Sequence, residues 1–248
     1  MKLCRFELLT EPGTIRSGMV YGGKVYETDG AEAIGVHEAA DVRPLCPIPI
    51  PPSIRVFRSD SDVTSFYYVN PGAVIGPSQI VELPDVGSRY AVRTYLAATV
   101  AGTGYQISLE EAESIVLGLT LVNVITAIDL ESKEAHVGRS HDFGIAMGPV
   151  ITTPDDLDDV MVMTKNGILY KLECSVKVNQ IETSKANFEE FPISIVEAVR
   201  LASETCTLRP GDVFCVGPIF DDAACIVSPG DEFQFNMERL GALSTKFQ

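Results

Sequence analysis

The chain has 248 residues, 46% of them hydrophobic, and 34 acidic against 19 basic residues give it a formal charge of -15. This length allows one large domain with a real core, or one domain with a small appendage. The acidic balance repels a nucleic-acid backbone and an anionic membrane surface, so we expect neither as a partner. A small molecule or another protein is the expected partner.

The first residues, MKLCRFELLTEPG, interrupt their apolar positions with Arg5, Glu7 and Glu11, which is not the pattern of a signal peptide. No run of about 18 apolar residues occurs, so no membrane-spanning helix is expected. The six cysteines are scattered without a CxxC pair, which favours reduced, buried thiols. These features predict a cytoplasmic protein.

The N-terminal part of the chain has the pattern of a small β meander. Strands are predicted within 3–8 and 14–28, and Gly22-Gly23 is a two-residue hairpin turn in which both positions can take positive φ. The proline-rich segment 45–52 cannot donate ladder hydrogen bonds and is expected to lead into the main domain. That domain begins with a strand at Ile54–Phe57.

The middle of the chain contains the strand that raises the functional question. After the turn-rich segment 66–77, residues 91–101 form a predicted buried strand in which Arg93 and Tyr95, two residues apart, point to the same face. A capping box at Ser108 then opens a short helix, and the apolar, β-branched stretch 118–130 predicts a second buried strand.

The C-terminal part alternates turns with short elements. The predicted elements are a loop at 142–149, a helix start at Thr153, strands at 159–163 and 168–178 around the hairpin sequence Asn166-Gly167, an amphipathic helix at Ile193–Glu204, and Pro-Gly-Asp turns at 210–212 and 229–231. The acidic clusters at 155–159 and 220–222 are interpreted as solvated turns rather than metal ligands.

Seven segments follow one another in the order and spacing of a known family. They are NPGAVIGP (70–77), LAATVAG (96–102), SLEEAESIVLGLTLVNVITAIDL (108–130), RSHDFGIAMGP (139–149), KNG (165–167), LRPGDVFCVG (208–217) and SPGDEFQFNMERLGAL (228–243). From about residue 45 onward, the chain resembles the fumarylacetoacetate hydrolase family.

The resemblance implies an α+β, β-rich fold: a mixed β-sandwich roll over 46–248 with a small N-terminal β domain over 1–45, usually as a homodimer. It also implies action on β-dicarbonyl or 2-oxo acids by carbon-carbon hydrolysis, decarboxylation or keto-enol isomerisation. In the family a divalent metal, usually magnesium, is held by carboxylates and stabilises the enolate that these reactions share.

The chain departs from the family pattern at the metal ligands. The family's Glu-x-Glu pair falls on Arg93 and Tyr95, and its Asn-Asp pair falls on Asn123 and Val124, so none of the three ligand positions keeps a carboxylate. The family's His-x-x-Glu segment has no counterpart, because residues 58–65 read RSDSDVTS. We therefore expect no magnesium or manganese cofactor.

Other family positions also differ. Arg139 stands where the family has a lysine, and Glu131 where it has a glutamine. The Thr-Gly-Thr-Pro sequence that helps to hold a substrate carboxylate in the family reads Val-Gly-Pro-Ile at 216–219. His136 and His141 lie on the loop that closes over the substrate in the family.

Six residues remain as candidates for the site. The candidate catalytic residues are Arg93, Tyr95 and Glu131, and the candidate substrate-binding residues are Arg139, Tyr67 and His141. A buried guanidinium at Arg93 could stabilise an enolate in place of a metal, Tyr95 could donate a proton, and Glu131 could act as a base. The alternatives are a structural ion pair at Arg93 and a space-filling ring at Tyr95.

Three functional hypotheses follow. The first is a metal-independent enzyme acting on a β-dicarbonyl or 2-oxo acid through an enol or enolate, by isomerisation, cyclisation, decarboxylation, lyase chemistry or carbon-carbon hydrolysis. The second is a catalytically inactive homologue that serves as a binding or structural subunit, and the third is an ordinary metal hydrolase with misaligned ligands. An open polar cavity favours the first hypothesis over the second, and a closed apolar one the reverse.

Overall fold

The computed structural model describes residues 1–58, 64–136, 138–164, 167–188 and 193–248. Its strands are β1 (Lys2–Leu8), β2 (Arg16–Tyr21), β3 (Lys24–Asp29), β4 (Glu32–Glu38), β5 (Val42–Leu45), β6 (Ile54–Arg58), β7 (Ser65–Val69), β8 (Val74–Ile75), β9 (Ile80–Val81), β10 (Tyr90–Val100), β11 (Val116–Ala127), β12 (Ile145–Thr152), β13 (Met161–Thr164), β14 (Gly167–Tyr170), β15 (Glu173–Val178), β16 (Ile181–Asn187), β17 (Val213–Val216), β18 (Ile226–Val227), β19 (Glu232–Met237) and β20 (Gly241–Phe247). The α-helices are α1 (Leu109–Ile115), α2 (Ile128–Glu131) and α3 (Ile195–Ser203). Short 3-10 helices include Ala39–Asp41, Pro71–Ala73, Arg139–His141, Pro154–Val160 and Asp222–Ala224.

Two sheets organise these strands. Thirteen strands form a large mixed sheet whose main path runs β4-β3-β2-β1-β12-β11-β10-β17-β6-β7, with β5, β8 and β18 paired to β1, β12 and β10. Five strands form a second sheet in the order β16-β15-β19-β20-β9, and β13 and β14 form a separate pair. The predicted β-rich α+β fold is therefore confirmed.

The long strands β10 and β11 are buried on both faces. Leu96 and Leu121 belong to the main core, which also includes Phe233 and Phe235 of the second sheet. On the opposite face, Tyr95 belongs to another apolar cluster with residues of β6, β11, β12 and β17. Burial on both sides explains why these strands have nearly continuous apolar sequences instead of a clean alternation.

The N-terminal strands extend the large sheet. β1 pairs with β12 through Leu3 and Ile151, and Cys4, Phe6 and Val25 pack with Val150 in a small core of their own. The division of the chain into a domain over 1–45 and another over 46–248 stays a prediction.

Local turn and capping patterns predicted several elements correctly. Gly22 and Gly23 both have positive φ between β2 and β3, and the side chain of Ser108 accepts a hydrogen bond from the Glu111 amide in a complete capping box. β13 and β14 pair as an antiparallel hairpin. Asn166 of the predicted hairpin turn lies outside the described residues.

Three boundary predictions are wrong because tertiary pairing overrides local pattern. The predicted loop at 142–149 contains most of β12, which pairs with β11 and buries Ile145 and Met147. The single strand predicted at 168–178 is two strands that belong to different sheets. The strand predicted at 118–130 ends at Ala127, where α2 begins.

The cysteines form no disulfide bonds, as their scattered spacing predicted. All six cysteines are free, and Cys206 is the exposed one. Among the helices of the described residues, none is both long and apolar enough to cross a membrane.

Truncating a side chain of the main core should destabilise the fold strongly. Phe235 is fully buried between the sheets, so we expect Phe235→Ala to lower the free energy of unfolding by about 3–5 kcal/mol through lost burial and the cavity left behind. Urea denaturation measures this, with Tyr21→Ala as the control because the Tyr21 side chain is 78% exposed. A loss of under about 1 kcal/mol at Phe235 would contradict this packing.

Candidate active site

A wide, open cleft of about 1100 Å³ lies beside the start of β10. Arg58 at the end of β6 and Tyr67 on β7 line one part of it, and α2 and the segment 217–222 after β17 line others. Arg93 and Tyr95 line it from β10. Five parts of the chain therefore meet beside the start of β10.

The register of β10 places Arg93 and Tyr95 on one face, as predicted. Arg93 lies opposite Val124 and Tyr95 lies opposite Val122 on β11. Tyr95 is only 1% exposed and belongs to the second apolar cluster, whereas the Arg93 side chain is 13% exposed. The tyrosine thus forms part of the cleft floor, and the arginine lies nearer its mouth.

Arg93 is the centre of a hydrogen-bonded ion cluster. Its Nε and Nη2 donate to the two carboxylate oxygens of Asp222 at 2.9 Å each, and its Nη1 and Nη2 donate to Glu131 at 2.8 and 2.7 Å. Nη1 also lies 3.2 Å from Nε2 of His141. A guanidinium has five N–H groups, so every Arg93 donor already has an acceptor within the chain.

The cluster fixes the charge of its members. Burial disfavours the charged form of Arg93, but the hydrogen bonds to Asp222 and Glu131 outweigh it and raise the Arg93 pKa. Burial likewise acts to raise the Glu131 pKa, and the hydrogen bond and charge of Arg93 reverse this and lower it. Both groups are therefore ionised at neutral pH.

His141 is a neutral, buried acceptor beside this cluster. It is 2% exposed, and burial lowers its pKa to about 4, with the nearby charge of Glu131 opposing the shift. Because Arg93 can only donate, Nε2 of His141 accepts and Nδ1 carries the proton, which it donates to Ser140 Oγ at 2.9 Å. The Ser140 hydroxyl in turn donates to Glu134 at 2.6 Å.

Two tyrosines, Tyr67 and Tyr95, and a second arginine, Arg58, are further polar residues near Arg93 in the cleft. The hydroxyl groups of Tyr67 and Tyr95 are 3.5 Å apart, and burial raises the pKa of both, so each is a neutral donor. The Arg58 guanidinium lies 4.7 Å from the centre of the Tyr67 ring. Its Nη2 donates to Glu131 at 3.2 Å, and the side chain is 33% exposed.

Five of the six sequence-predicted site residues meet in this region. Arg93, Tyr95, Glu131 and Tyr67 line the cleft, and His141 contacts Arg93 and packs edge-on against Tyr67. Arg139 is exposed. It lines a separate pocket of about 450 Å³, to which His141 also contributes.

Two residues of the site were not among the sequence candidates. Arg58 could have been found, because strand alternation places it on the same face as Ile54 and Val56, which pack with Tyr95. Asp222 belongs to an acidic cluster interpreted as solvated, and instead it forms a bidentate pair with Arg93. No local pattern links residues that are 129 positions apart.

Similar proteins include enzymes that act on oxo acids. Over 181 residues the chain is 25% identical to the mitochondrial oxaloacetate tautomerase fahd2 of Xenopus laevis, covering 69% of this chain and 54% of that protein. The chain thus spans about half the length of that relative. A solved structure of 2-hydroxyhepta-2,4-diene-1,7-dioate isomerase from Mycobacterium marinum matches 100% of this chain and 98% of its own, at 21% identity and a TM-score of 0.84.

A further solved structure corrects the expectation that no metal cofactor is present. Maleylpyruvate hydrolase from Sphingobium sp. SYK-6, crystallised with manganese(II) and pyruvate, matches 100% of this chain and 98% of its own, at 21% identity and a TM-score of 0.77. That expectation was based on Arg93 and Tyr95, which stand where the family has two carboxylate ligands. A protein of the same fold holds a metal, so the expectation was wrong and is not carried forward.

The residues around Arg93 do not themselves form a metal site. Glu131, Asp222 and His141 direct their acceptor atoms at the guanidinium. In the parts of the chain that the structure describes, no three His, Cys, Asp or Glu side chains are grouped so that they could hold a metal ion. This donor set, already saturated by the guanidinium, does not fit a metal ion.

Removing the central cation should destabilise the protein. Arg93→Met removes the partner that Glu131 and Asp222 share and leaves Glu131 only the single bond from Arg58, so we expect it to lower the free energy of unfolding at neutral pH by about 2–4 kcal/mol. The cost stays below that of a fully buried pair because Asp222 is one-third exposed. Urea denaturation measures it, with the exposed Arg209→Met as the control.

The pH dependence of this loss has a definite sign. Arg93 lowers the Glu131 pKa, so its stabilisation is full above the ordinary glutamate pKa and disappears as pH falls through the lowered value. The difference between wild type and Arg93→Met should therefore shrink in acid. A difference that grows in acid would contradict the assignment.

Burial of neutral His141 should make the stability of the fold depend on pH in a second, higher pH range. Its folded pKa of about 4 lies below the ordinary histidine value, so the unfolded chain takes up the proton first and stability falls as pH drops from 6.5 toward 4. We expect His141→Gln to remove up to about 3 kcal/mol of this pH dependence, as measured by unfolding at several pH values. An unchanged slope would show that the imidazole is not held neutral.

The family model for the fumarylacetoacetate (FAA) hydrolase C-terminal domain matches residues 54–248. This range contains β6 to β20 and every residue of the ion cluster. The chain therefore belongs to the fumarylacetoacetate hydrolase family.

Proposed function

We propose that the cleft binds a small 2-oxo acid or β-dicarbonyl compound and promotes its keto-enol interconversion. The observation that carries this proposal is an open cleft lined by two arginines and two neutral phenols. The Xenopus relative is an oxaloacetate tautomerase and the Mycobacterium marinum neighbour is an isomerase. Oxaloacetate is a 2-oxo acid, and 2-hydroxyhepta-2,4-diene-1,7-dioate is the enol form of one.

The reaction needs three protein functions. A cation must hold the substrate carboxylate, a donor must stabilise the oxygen that becomes the enolate, and a base must remove a proton from the adjacent carbon. Arg58 is placed for the first, because its side chain is partly exposed in the cleft. Tyr67 and Tyr95 are placed for the second, because neutral phenols can donate to a developing oxyanion.

Glu131 is the proposed base, and Arg93 is its positioning residue. Glu131 lines the cleft and stays ionised because Arg93 lowers its pKa. The five Arg93 donors are directed at Glu131, Asp222 and His141, so Arg93 orients the carboxylate instead of contacting the substrate. In this proposal Arg93 no longer stabilises the enolate directly, which is the role that the sequence suggested for it.

The cleft also supports an enzyme over an inactive subunit. An inactive homologue was expected to have a closed, apolar pocket plugged by Tyr95. Instead, Tyr95 forms part of the floor of a wide cleft whose polar groups include Arg58, Ser65 and Ser132.

Hydrogen exchange at the carbon beside the oxo group tests the proposal without knowledge of the product. In D₂O, we expect the protein to accelerate deuterium incorporation at C3 of 2-oxo acids, measured by mass spectrometry, with and without added manganese(II). Tyr67→Phe removes a donor to the enolate oxygen and should slow exchange by roughly 10–100-fold. Tyr105→Phe, at an exposed site away from the cleft, is the control.

Acceleration in either metal condition supports the proposal. Exchange at the buffer rate in both conditions, for 2-oxo acids and β-dicarbonyls alike, would leave the enolisation proposal without basis. Equal exchange rates for Tyr67→Phe and wild type would remove the phenol from the mechanism.

A further inference from the structure

We propose that the cleft selects substrates with a single carboxylate, held at Arg58, and discriminates against dicarboxylates. This inference rests on the proposed function, because it names the substrate class of the same cleft. It concerns charge, which the general fold does not determine, and it distinguishes this cleft from the relatives named for oxaloacetate and 2-hydroxyhepta-2,4-diene-1,7-dioate, which are dicarboxylates.

The described cleft residues carry more negative than positive charge. The charged groups that line it are Arg58, Arg93, Glu131, Glu134, Asp221 and Asp222, together with His136. Four carboxylates therefore face two guanidinium groups, and they remain in excess even when His136 is protonated. The whole chain, at a formal charge of -15, adds to this negative field.

The positive charge of Arg93 is already compensated. Its guanidinium pairs with both carboxylate oxygens of Glu131 and both of Asp222. A substrate carboxylate at Arg93 would have to displace one of these bidentate pairs and leave a half-buried acid without its partner. Arg93 therefore offers no binding position to an anion.

Arg58 differs from Arg93 in exposure and in its contacts. One-third of its side chain is exposed, and its contact with Glu131 is a single bond of 3.2 Å. Its guanidinium lies over the Tyr67 ring, which holds it within the cleft beside the phenol proposed to donate to the enolate oxygen. A 2-oxo acid held there by its carboxylate would place its oxo group near Tyr67.

A second carboxylate would meet the remaining acids. Asp221 lines the cleft and forms no ion pair with another described residue, and Glu134 hydrogen bonds to Ser140. Like charges that face the same cleft repel one another, and the repulsion grows as they approach. An acid group at the far end of the substrate therefore costs binding free energy in this cleft.

Two acids with the same five-carbon 2-oxo skeleton test the inference. We expect 2-oxopentanoate to bind at least roughly tenfold more tightly than 2-oxoglutarate, which has a carboxylate in place of the terminal methyl group. Saturation-transfer NMR titration of the full chain gives both Kd values without requiring turnover. Added salt should narrow the difference, because the cleft is open to solvent.

Matched variants distinguish the effect of charges inside the cleft on substrate binding from the effect of the net charge of the protein. Asp221→Asn should narrow the preference roughly threefold, whereas Asp158→Asn, at an exposed site away from the cleft, changes the net charge equally and should leave it unchanged. Arg58→Met should weaken 2-oxopentanoate binding at least roughly tenfold, and Arg209→Met should not. The Asp221→Asn comparison does not depend on whether Arg58→Met folds.

The outcomes distinguish this inference from the proposed function. Equal or tighter binding of 2-oxoglutarate, no binding of either acid, or wild-type affinity in a folded Arg58→Met variant would overturn the inference. Selective binding of 2-oxopentanoate without any C3 hydrogen exchange would support it while contradicting the proposed enolisation.

Discussion

One guanidinium joins three segments that are far apart in the chain. Arg93 on β10 binds Glu131 at the end of α2, Asp222 after β17, and His141 in a 3-10 helix. Removing charged groups from water is costly, and the cost is offset only when opposite charges and hydrogen bonds are complete. Here all five donors are used, so the positions of α2 and of the loop after β17 depend on this contact.

The same contact determines what the cleft can do chemically. It keeps Glu131 ionised and in place, and the charge of Arg93 adds to the burial that keeps His141 neutral, with Nε2 of His141 accepting from Arg93. The phenols of Tyr67 and Tyr95 stay neutral because they are buried. Among its described residues the cleft thus combines a fixed carboxylate at Glu131, neutral phenol donors and an accessible cation at Arg58, which is a set suited to moving a proton next to a carbonyl group.

Much of the fold follows from local sequence, and the site follows from it only in part. Gly22-Gly23 and the Ser108 capping box have short-range physical causes, so their prediction was correct. Strand alternation also placed Arg93 and Tyr95 on one face. What local pattern could not supply was β12, because a Gly- and Pro-containing segment becomes a strand only when β11 provides its hydrogen-bond partners.

The site residues that local sequence did not predict also depend on contacts between distant parts of the chain. The mostly apolar pattern over 118–130 does not indicate that the chain turns into α2 at Ile128, yet this turn carries Glu131 to the cleft. Asp222 is recruited across 129 positions, and its sequence neighbourhood is that of an ordinary solvated turn. Pairing between remote charges depends on the finished fold.

The position of Tyr95 limits how this cleft can change during evolution. Its ring is part of an apolar cluster with residues of β6, β11, β12 and β17, while its hydroxyl group lies 3.5 Å from that of Tyr67 in the cleft. A substitution that reshapes the floor therefore also removes packing from the sheet, so a new substrate preference would begin at reduced stability. Diversification is easier at Asp221, which lines the cleft from the loop after β17, is exposed and belongs to no strand.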